Sequence, residues 1–328
     1  MSPPLLNVQG LTKRFPIHAG FLRKTVGWVR AVEEVSFSIE KGETLGLVGE
    51  SGCGKTTTGR LILRVLEPTS GKMTFQNEGR RIDLTNLRGE ELRRFRQHMQ
   101  LILQDPFSSL NPRMTVYDII AEPLRAQEAL TEKEISERIH ALVSAMGLKP
   151  EFLCRYPHAF SGGQRQRIGI ARALTLEPVL VVCDEPVSAL DVSVQAQIIN
   201  LLRDLQEQRG FSYLFIAHDL SVVEHISHRV AVMYAGRIVE MAKKRDLFQG
   251  AKHPYTQALM KAVPVADPSR RREKSPLKGE VADPSNLPSG CAFHPRCPLA
   301  LPRCVEERPP LGPVGEDHVV ACHLAAID

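Results

Sequence analysis

Residues 44–56 read Thr-Leu-Gly-Leu-Val-Gly-Glu-Ser-Gly-Cys-Gly-Lys-Thr. The first five, Thr44–Val48, are a short apolar run that predicts a strand buried on both faces. Gly49 to Thr56 then fit the pattern G-x-x-x-x-G-K-S/T, with Glu50, Ser51, Gly52 and Cys53 at the unrestricted positions and Gly54-Lys55-Thr56 closing it. A helical pattern over Lys55–Leu66 follows. Glycines at this spacing let backbone N–H groups converge on phosphate oxygens, and a helix N-terminus adds partial positive charge. Lys55 suits bridging of β- and γ-phosphates and the Thr56 hydroxyl suits Mg2+, with Thr57 beside it in the candidate nucleotide set. Strand, turn and helix together point to a nucleoside triphosphate, and to nothing narrower.

The same apolar character recurs at Val179–Cys183 and Tyr213–Ala217, and helical patterns cover Gln164–Leu174 and Val192–Gln208. Strands alternating with helices predict an α/β fold around a parallel sheet. From about residue 105 to 160 the strand signal fades and helical stretches dominate, Glu132–Met146 above all. A helical subdomain is expected there, dividing a core made of residues 1–104 and 161–245. Past residue 246 come Pro264, Pro268, Pro276, Pro284 and Pro288, the basic run Arg270–Arg272, and four of the seven cysteines. Residues 246–328 read as a small appended domain with little core of its own and a need for a staple.

Composition is that of an ordinary globular protein, 43% apolar and 24% charged, with 42 basic against 37 acidic residues. The net charge of +5 is too mild to argue for a nucleic-acid partner. No window approaches the roughly 18 apolar residues that span a bilayer. Met1 to Gly10 lacks a basic segment followed by an apolar run. A cytosolic chain is expected unless a partner holds it at a membrane, and in that reducing compartment the cysteines read as thiols or metal ligands.

Two further stretches carry chemistry. The predicted strand Val179–Cys183 ends in Asp184-Glu185, an acidic pair where parallel strands of open sheets present ligands. Asp184 suits support of a magnesium ion, and Glu185 suits orientation or deprotonation of an attacking water. Phe160-Ser161-Gly162-Gly163-Gln164-Arg165 opens a helix, a second anion site with no lysine of its own. Within one chain that site is redundant; it makes sense if it closes on a nucleotide held by another subunit.

At these residues the chain resembles the ATP-binding cassette (ABC) family, whose signature is a Ser-Gly-Gly-Gln segment. Over residues 1–245 the resemblance implies roles for four more positions. Gln104, in Leu-Ile-Leu-Gln-Asp-Pro, would contact magnesium and water, and Asp191, in Ser188-Ala189-Leu190-Asp191, would link two composite sites. His218, in Ile-Ala-His-Asp, would contact the γ-phosphate, and Phe15 would stack on adenine, with Trp28 as competitor in an apparent insertion, Ile17–Arg30. Phe160 stands where the commonest family form has leucine. The implied fold is a P-loop NTPase of cassette type: parallel sheet core, antiparallel β edge, helical insertion subdomain and a small metal-bound C-terminal extension. Residues 184–197, Asp-Glu-Pro-Val-Ser-Ala-Leu-Asp-Val-Ser-Val-Gln-Ala-Gln, and 253–259, His-Pro-Tyr-Thr-Gln-Ala-Leu, are similar to the dipeptide and oligopeptide importer branch. That branch implies ATP hydrolysis with Mg2+ energising peptide import at the cytoplasmic face of the cell membrane. Its implied partners are a second ATPase subunit (a paralogue or a second copy), two transmembrane permease subunits and, indirectly, an extracytoplasmic peptide-binding protein.

Cys291, Cys297, Cys304 and Cys322 are separated by five, six and seventeen residues. Four thiolates suit zinc or an iron–sulfur cluster, and the gaps are wider than those of zinc ribbons. The resemblance favours a [4Fe–4S] cluster over Zn2+. His294, His318 and His323 are nearby alternative ligands, while Cys154 and Cys183 read as packing. Competing readings are an importer subunit for a non-peptide cargo and, in another class, a soluble cassette protein acting on nucleic acid or ribosomes. Such proteins carry two cassettes or a long coiled coil, and this chain has one cassette and no sustained heptads. An idle regulatory subunit would be expected to lack Lys55 or Glu185.

Overall fold

The computed structural model describes residues 3–20, 24–77, 79–105, 108–127, 130–262, 279–280 and 282–325. Strands in chain order are β1 (Leu6–Ala19), β2 (Lys24–Ile39), β3 (Thr44–Val48), β4 (Ser70–Asn77), β5 (Arg80–Asp83) and β6 (Met99–Ile102). They continue with β7 (Leu180–Asp184), β8 (Ser212–Ala217), β9 (Arg229–Tyr234), β10 (Arg237–Lys243), β11 (Gly312–Gly315) and β12 (His318–Val320). The helices are α1 (Lys55–Ile62), α2 (Gly89–Phe95), α3 (Val116–Gln127), α4 (Glu132–Ala145) and α5 (Gly162–Leu174). After them come α6 (Val192–Arg209), α7 (Leu220–Ile226), α8 (Lys244–Gly250), α9 (Pro254–Ala262) and α10 (Pro302–Glu306). Contacts group the chain into two compact units. One is Met1–Glu40, Thr44–Thr85 and Ile216–Asp328; the other is Lys41–Glu43 and Asn86–Phe215.

In the first unit β1 and β2 pair antiparallel, Leu6 opposite Ile39 and Phe15 opposite Val29, and β4 and β5 complete the order β2-β1-β4-β5. Alternation along these strands buries Leu6, Val8, Leu11, Val32, Val35, Met73 and Phe75. The described part of Ile17–Arg30 is the far end of this hairpin. A second run, β11-β12-β10-β9-β3, joins β3 to β9 in parallel and the remaining strands antiparallel. Every residue of β3 is buried, as its unbroken apolar run requires. Helix α1 stops at Ile62, four residues short of the predicted end. Arg64 takes left-handed backbone there (φ 54) and turns its side chain inward, Nη1 donating to the Thr85 carbonyl at 3.0 Å.

In the second unit the strands run β8-β7-β6, with Leu101 opposite Val182 in a parallel pair. The described residues between 105 and 160 form helices and turns, with no strand. Helix α4 opens on a capping box: Thr131 accepts from the Glu134 N–H, and the Glu134 carboxylate accepts from the Thr131 N–H at 2.8 Å. It buries Ile135, Ile139 and Val143 at helical spacing. Helix α6 ends where Gly210 supplies a left-handed cap (φ 72). No helix among the described residues is long and apolar enough to cross a membrane. Pro264, Pro268, Pro276 and Arg270–Arg272 lie outside the described residues.

Candidate functional site

In the first unit β3 runs directly into the glycine-rich turn. Gly49 (φ 151) and Gly54 (φ 107) both need to be glycine. A Cβ on Gly49 would stand 2.2 Å from the Met233 carbonyl oxygen, and one on Gly54 would stand 2.2 Å from that of Ala31. Lys55, the first residue of α1, is only 5% exposed; its Nζ donates to the carbonyls of Gly49 at 2.7 Å and Glu50 at 3.0 Å. A buried ammonium thus spans the loop, beside a helix N-terminus, which is the arrangement that holds phosphate. Cys53 Sγ lies 3.8 Å from Lys55 Nζ, and burial pushes its thiol up, which argues for packing rather than reactivity. Thr56 and Thr57 are half-buried in the first turn of α1.

Side chains from the far end of the chain support this cradle. The Glu50 N–H donates to the Tyr255 hydroxyl at 2.9 Å, and Arg296 forks onto the Glu50 carboxylate at 2.6 and 2.9 Å. His253 Nδ1 accepts from the Tyr255 N–H at 3.0 Å, and burial holds the imidazole down at about 4, so the ring is neutral at neutral pH. Buried Glu240 accepts from the N–H groups of Lys252 and His253 and pairs with His318 Nε2 at 2.8 Å. Sequence patterns gave no reason for His253, Tyr255 or Arg296 to serve the cradle, because they stand far from it in the chain, Tyr255 by 205 residues and Arg296 by 246. His218 follows β8 and is exposed, and Asp219 after it caps α7, accepting from the Ser221 N–H at 2.9 Å. Phe15 is half-buried with Lys13 Nζ 5.1 Å from its ring centre, and Trp28 is 50% exposed on the β1–β2 hairpin.

In the second unit Asp184 ends β7 and is buried (6% exposed). Glu185 follows in left-handed backbone (φ 49), a conformation costly for a residue with a side chain. Gln104 Nε2 donates to Glu185 Oε2 at 3.2 Å, so the structure brings these two predicted residues together. The Ser188 N–H and Oγ both donate to the Glu185 carbonyl, at 3.3 and 3.1 Å, fixing the turn. Exposed Ser161 caps α5 in a second capping box: its Oγ accepts from the Gln164 N–H, and Gln164 Oε1 accepts from the Ser161 N–H. Beside half-buried Gly162, Gly163 has a reason beyond anion binding, since a Cβ there would stand 2.5 Å from Val194 Cγ1 of α6. Asp191 caps α6; hydrogen bonds from the Ser193 hydroxyl and the Val194 N–H hold its carboxyl below the usual range. Phe160 is buried edge-on to Phe152, centroids 5.4 Å apart, so packing accommodates the departure from leucine.

A family model described as ABC transporter matches residues 32–188, and one described as oligopeptide/dipeptide transporter, C-terminal region, matches 239–304. A probable peptide ABC transporter ATP-binding protein of Sinorhizobium fredii is 55% identical over 99% of this chain and 91% of its own. The oligopeptide transport ATP-binding protein AppF of Bacillus subtilis is 52% identical over 98% and 97%. This chain belongs to the ABC transporter family. Among solved structures, the ATP-binding cassette MJ0796, dimeric and bound to ADP and Pi, is 26% identical over 73% of this chain and 99% of its own, with a TM-score of 0.63. The fold is therefore the P-loop ABC cassette, with mixed sheets and helices, and ATP hydrolysis coupled to transport is the chemistry of the family. The second matched region of this ABC transporter chain holds Glu240, His253, Tyr255 and Arg296, the set that supports the cradle.

That region also holds three of the four C-terminal cysteines. Cys291 and Cys297 are half-buried and Cys304 is buried. Burial pushes the Cys291 thiol up to about 11 and the Cys297 thiol upward too; hydrogen bonds from the N–H groups of Phe293 and Leu299 pull the other way. Four thiols are a chemically suitable donor set. Yet among the described residues no group of three or more His, Cys, Asp or Glu side chains is placed to hold a metal ion. The metal-bound extension expected from the spacing, with a [4Fe–4S] cluster or Zn2+, is not supported by this arrangement. The three histidines considered as alternative ligands are engaged elsewhere: His318 with Glu240, His323 with the Glu307 carbonyl and His294 with the Cys291 carbonyl. Cys183 is buried as expected, whereas Cys154 is exposed and does not serve packing.

Proposed function

We propose that this chain is the ATP-hydrolysing subunit of a peptide or oligopeptide importer, held at the cytoplasmic face of the membrane by permease subunits and paired with a second cassette. The observation that carries the reading is the hydrogen-bonded Gln104–Glu185 pair beside a strained Glu185 backbone, in a chain that also has a complete Lys55 cradle. Relatives named for peptide transport, matched along nearly their whole length, supply the cargo class.

In this reading Gly49–Thr57 and Lys55 hold the ATP phosphates, and Phe15 or Trp28 stacks on adenine. Thr56, Gln104 and Asp184, oxygen donors of the kind magnesium takes, are the residues that would hold Mg2+, and the ion would neutralise charge on the phosphates. Glu185, steadied by Gln104, orients and deprotonates the attacking water, and His218 contacts the γ-phosphate. Ser161 to Gln164 close on the nucleotide of the partner cassette, with Ser161 exposed to it, and Asp191 relays between the two sites. The domain division that accompanies this reading is a cassette over residues 1–245, its helical part at about 105–160, and an importer-type extension over 246–328.

The test is uptake of labelled di- and oligopeptides by membrane vesicles containing the chain with its co-purifying permeases. ATP-dependent uptake lost in Lys55→Ala supports the reading; recovery of the chain with ribosomes or nucleic acid, and no uptake, overturns it. The iron–sulfur reading of Cys291, Cys297, Cys304 and Cys322 rests on the family resemblance and on the spacing of the four cysteines. Anaerobic purification with about four irons per chain supports it, and metal-free or zinc-loaded protein overturns it.

A further inference from the structure

Glu50 is an acid inside a phosphate cradle. Its neighbours in sequence are Gly49 and Ser51, its carbonyl accepts from Lys55, and its N–H is tied to Tyr255. The backbone is therefore fixed on both sides, and the carboxylate is carried wherever the cradle goes. An uncompensated negative charge at this place repels the polyphosphate that the loop is built to hold.

Arg296 compensates it. Both terminal nitrogens of the guanidinium reach the two Glu50 oxygens, in the fork geometry that matches a carboxylate. The Arg296 side chain is 5% exposed and that of Glu50 24% exposed, so solvent screens the pair only partly. The guanidinium lies 5.9 Å from the Tyr234 ring centre and 6.0 Å from that of Phe293, and its Nε has no hydrogen-bond partner among the described residues. The fork of the head group is therefore committed to Glu50, with Tyr234 beside it as a second hydrogen-bond partner. Arg296 itself sits in the turn His294–Arg296, between Cys291 and Cys297, so the charge comes from the C-terminal extension.

We propose that Arg296 is a positioning residue of the nucleotide site: it neutralises Glu50 and keeps that carboxylate turned away from the phosphates, making ATP affinity depend on the C-terminal extension. The proposal rests on the nucleotide reading of the cradle.

Equilibrium titration of the purified full chain with ATP, at low and high salt, tests it. Arg296→Ala weakens ATP binding about ten-fold at low salt, and less at high salt, where charges are screened. Arg296→Lys, which keeps the charge without the fork, loses less. The deciding variant is the double substitution Arg296→Ala with Glu50→Gln, which restores affinity because no acid is left to expose. A strap that merely holds the extension in place would not be rescued this way. Should Arg296→Ala fail to fold by circular dichroism, Glu50→Gln alone decides, binding ATP more tightly than the unaltered chain because the Arg296 cation is left without its acid beside the phosphates. Unchanged affinity in a folded Arg296→Ala, a double variant as weak as the single, or equal or weaker binding by Glu50→Gln overturns the proposal. If the unaltered chain binds no ATP at all, the nucleotide reading itself falls, and the proposal with it.

Discussion

Acidification should loosen the support beneath the nucleotide cradle, and His253 sets the size of the effect. Its ring is buried, receives the Tyr255 N–H, and has its affinity for a proton lowered from the ordinary 6.5 to about 4 by burial. Between those values the unfolded chain binds a proton that the folded chain refuses, so stability falls as pH drops. The contribution is fully present above about 6.5 and is lost progressively down to about 4. A displacement of this size corresponds to about 3 kcal/mol, a large share of the net stability of a domain. Guanidinium unfolding at pH 7.5 and at pH 4 measures it. The comparison is with His253→Asn, whose amide oxygen can still accept the Tyr255 N–H but does not titrate. The unaltered chain should lose about 3 kcal/mol more than the variant over that interval. Equal losses in the two proteins would refute the buried, neutral assignment of His253.

Two glycines give further tests. Gly54→Ala puts a Cβ 2.2 Å from the Ala31 carbonyl oxygen at a φ of 107, so the loop must deform; ATP binding should be abolished, as read by equilibrium titration. Gly163→Ala should destabilise the second unit by about 1–3 kcal/mol, because the new methyl meets Val194 of α6 at 2.5 Å; thermal unfolding checks it.

Much of this was legible in local sequence. Thr44–Val48 is apolar without interruption and is a fully buried strand, and the turn after it needs glycine where the pattern has it. Asp184 and Glu185 stand at the end of β7 because the apolar run before them fixes where the strand stops. Helix ends were less legible. Periodicity carried α1 to Leu66, while the structure ends it at Ile62, because Arg64 finds a carbonyl 21 residues away. The support of Glu50 was not legible at all. Arg296 is 246 residues distant from it, and nothing in the spacing of either residue announces the pair. The cysteines are the opposite case. Their spacing suggests a metal site, but spacing says nothing of where the thiols point, and their histidine neighbours already have partners. A pattern fixes which residues share an element; it does not fix which elements meet.

The most direct measurement is ATP turnover by Glu185→Gln, read together with the mass of the particle in solution. The amide can still pair with Gln104 but cannot take a proton from water. Hydrolysis should fall by about two orders of magnitude, while ATP stays bound and cassettes accumulate as dimers. Hydrolysis at the unaltered rate would contradict it, since the proton would then have to go to some group other than Glu185.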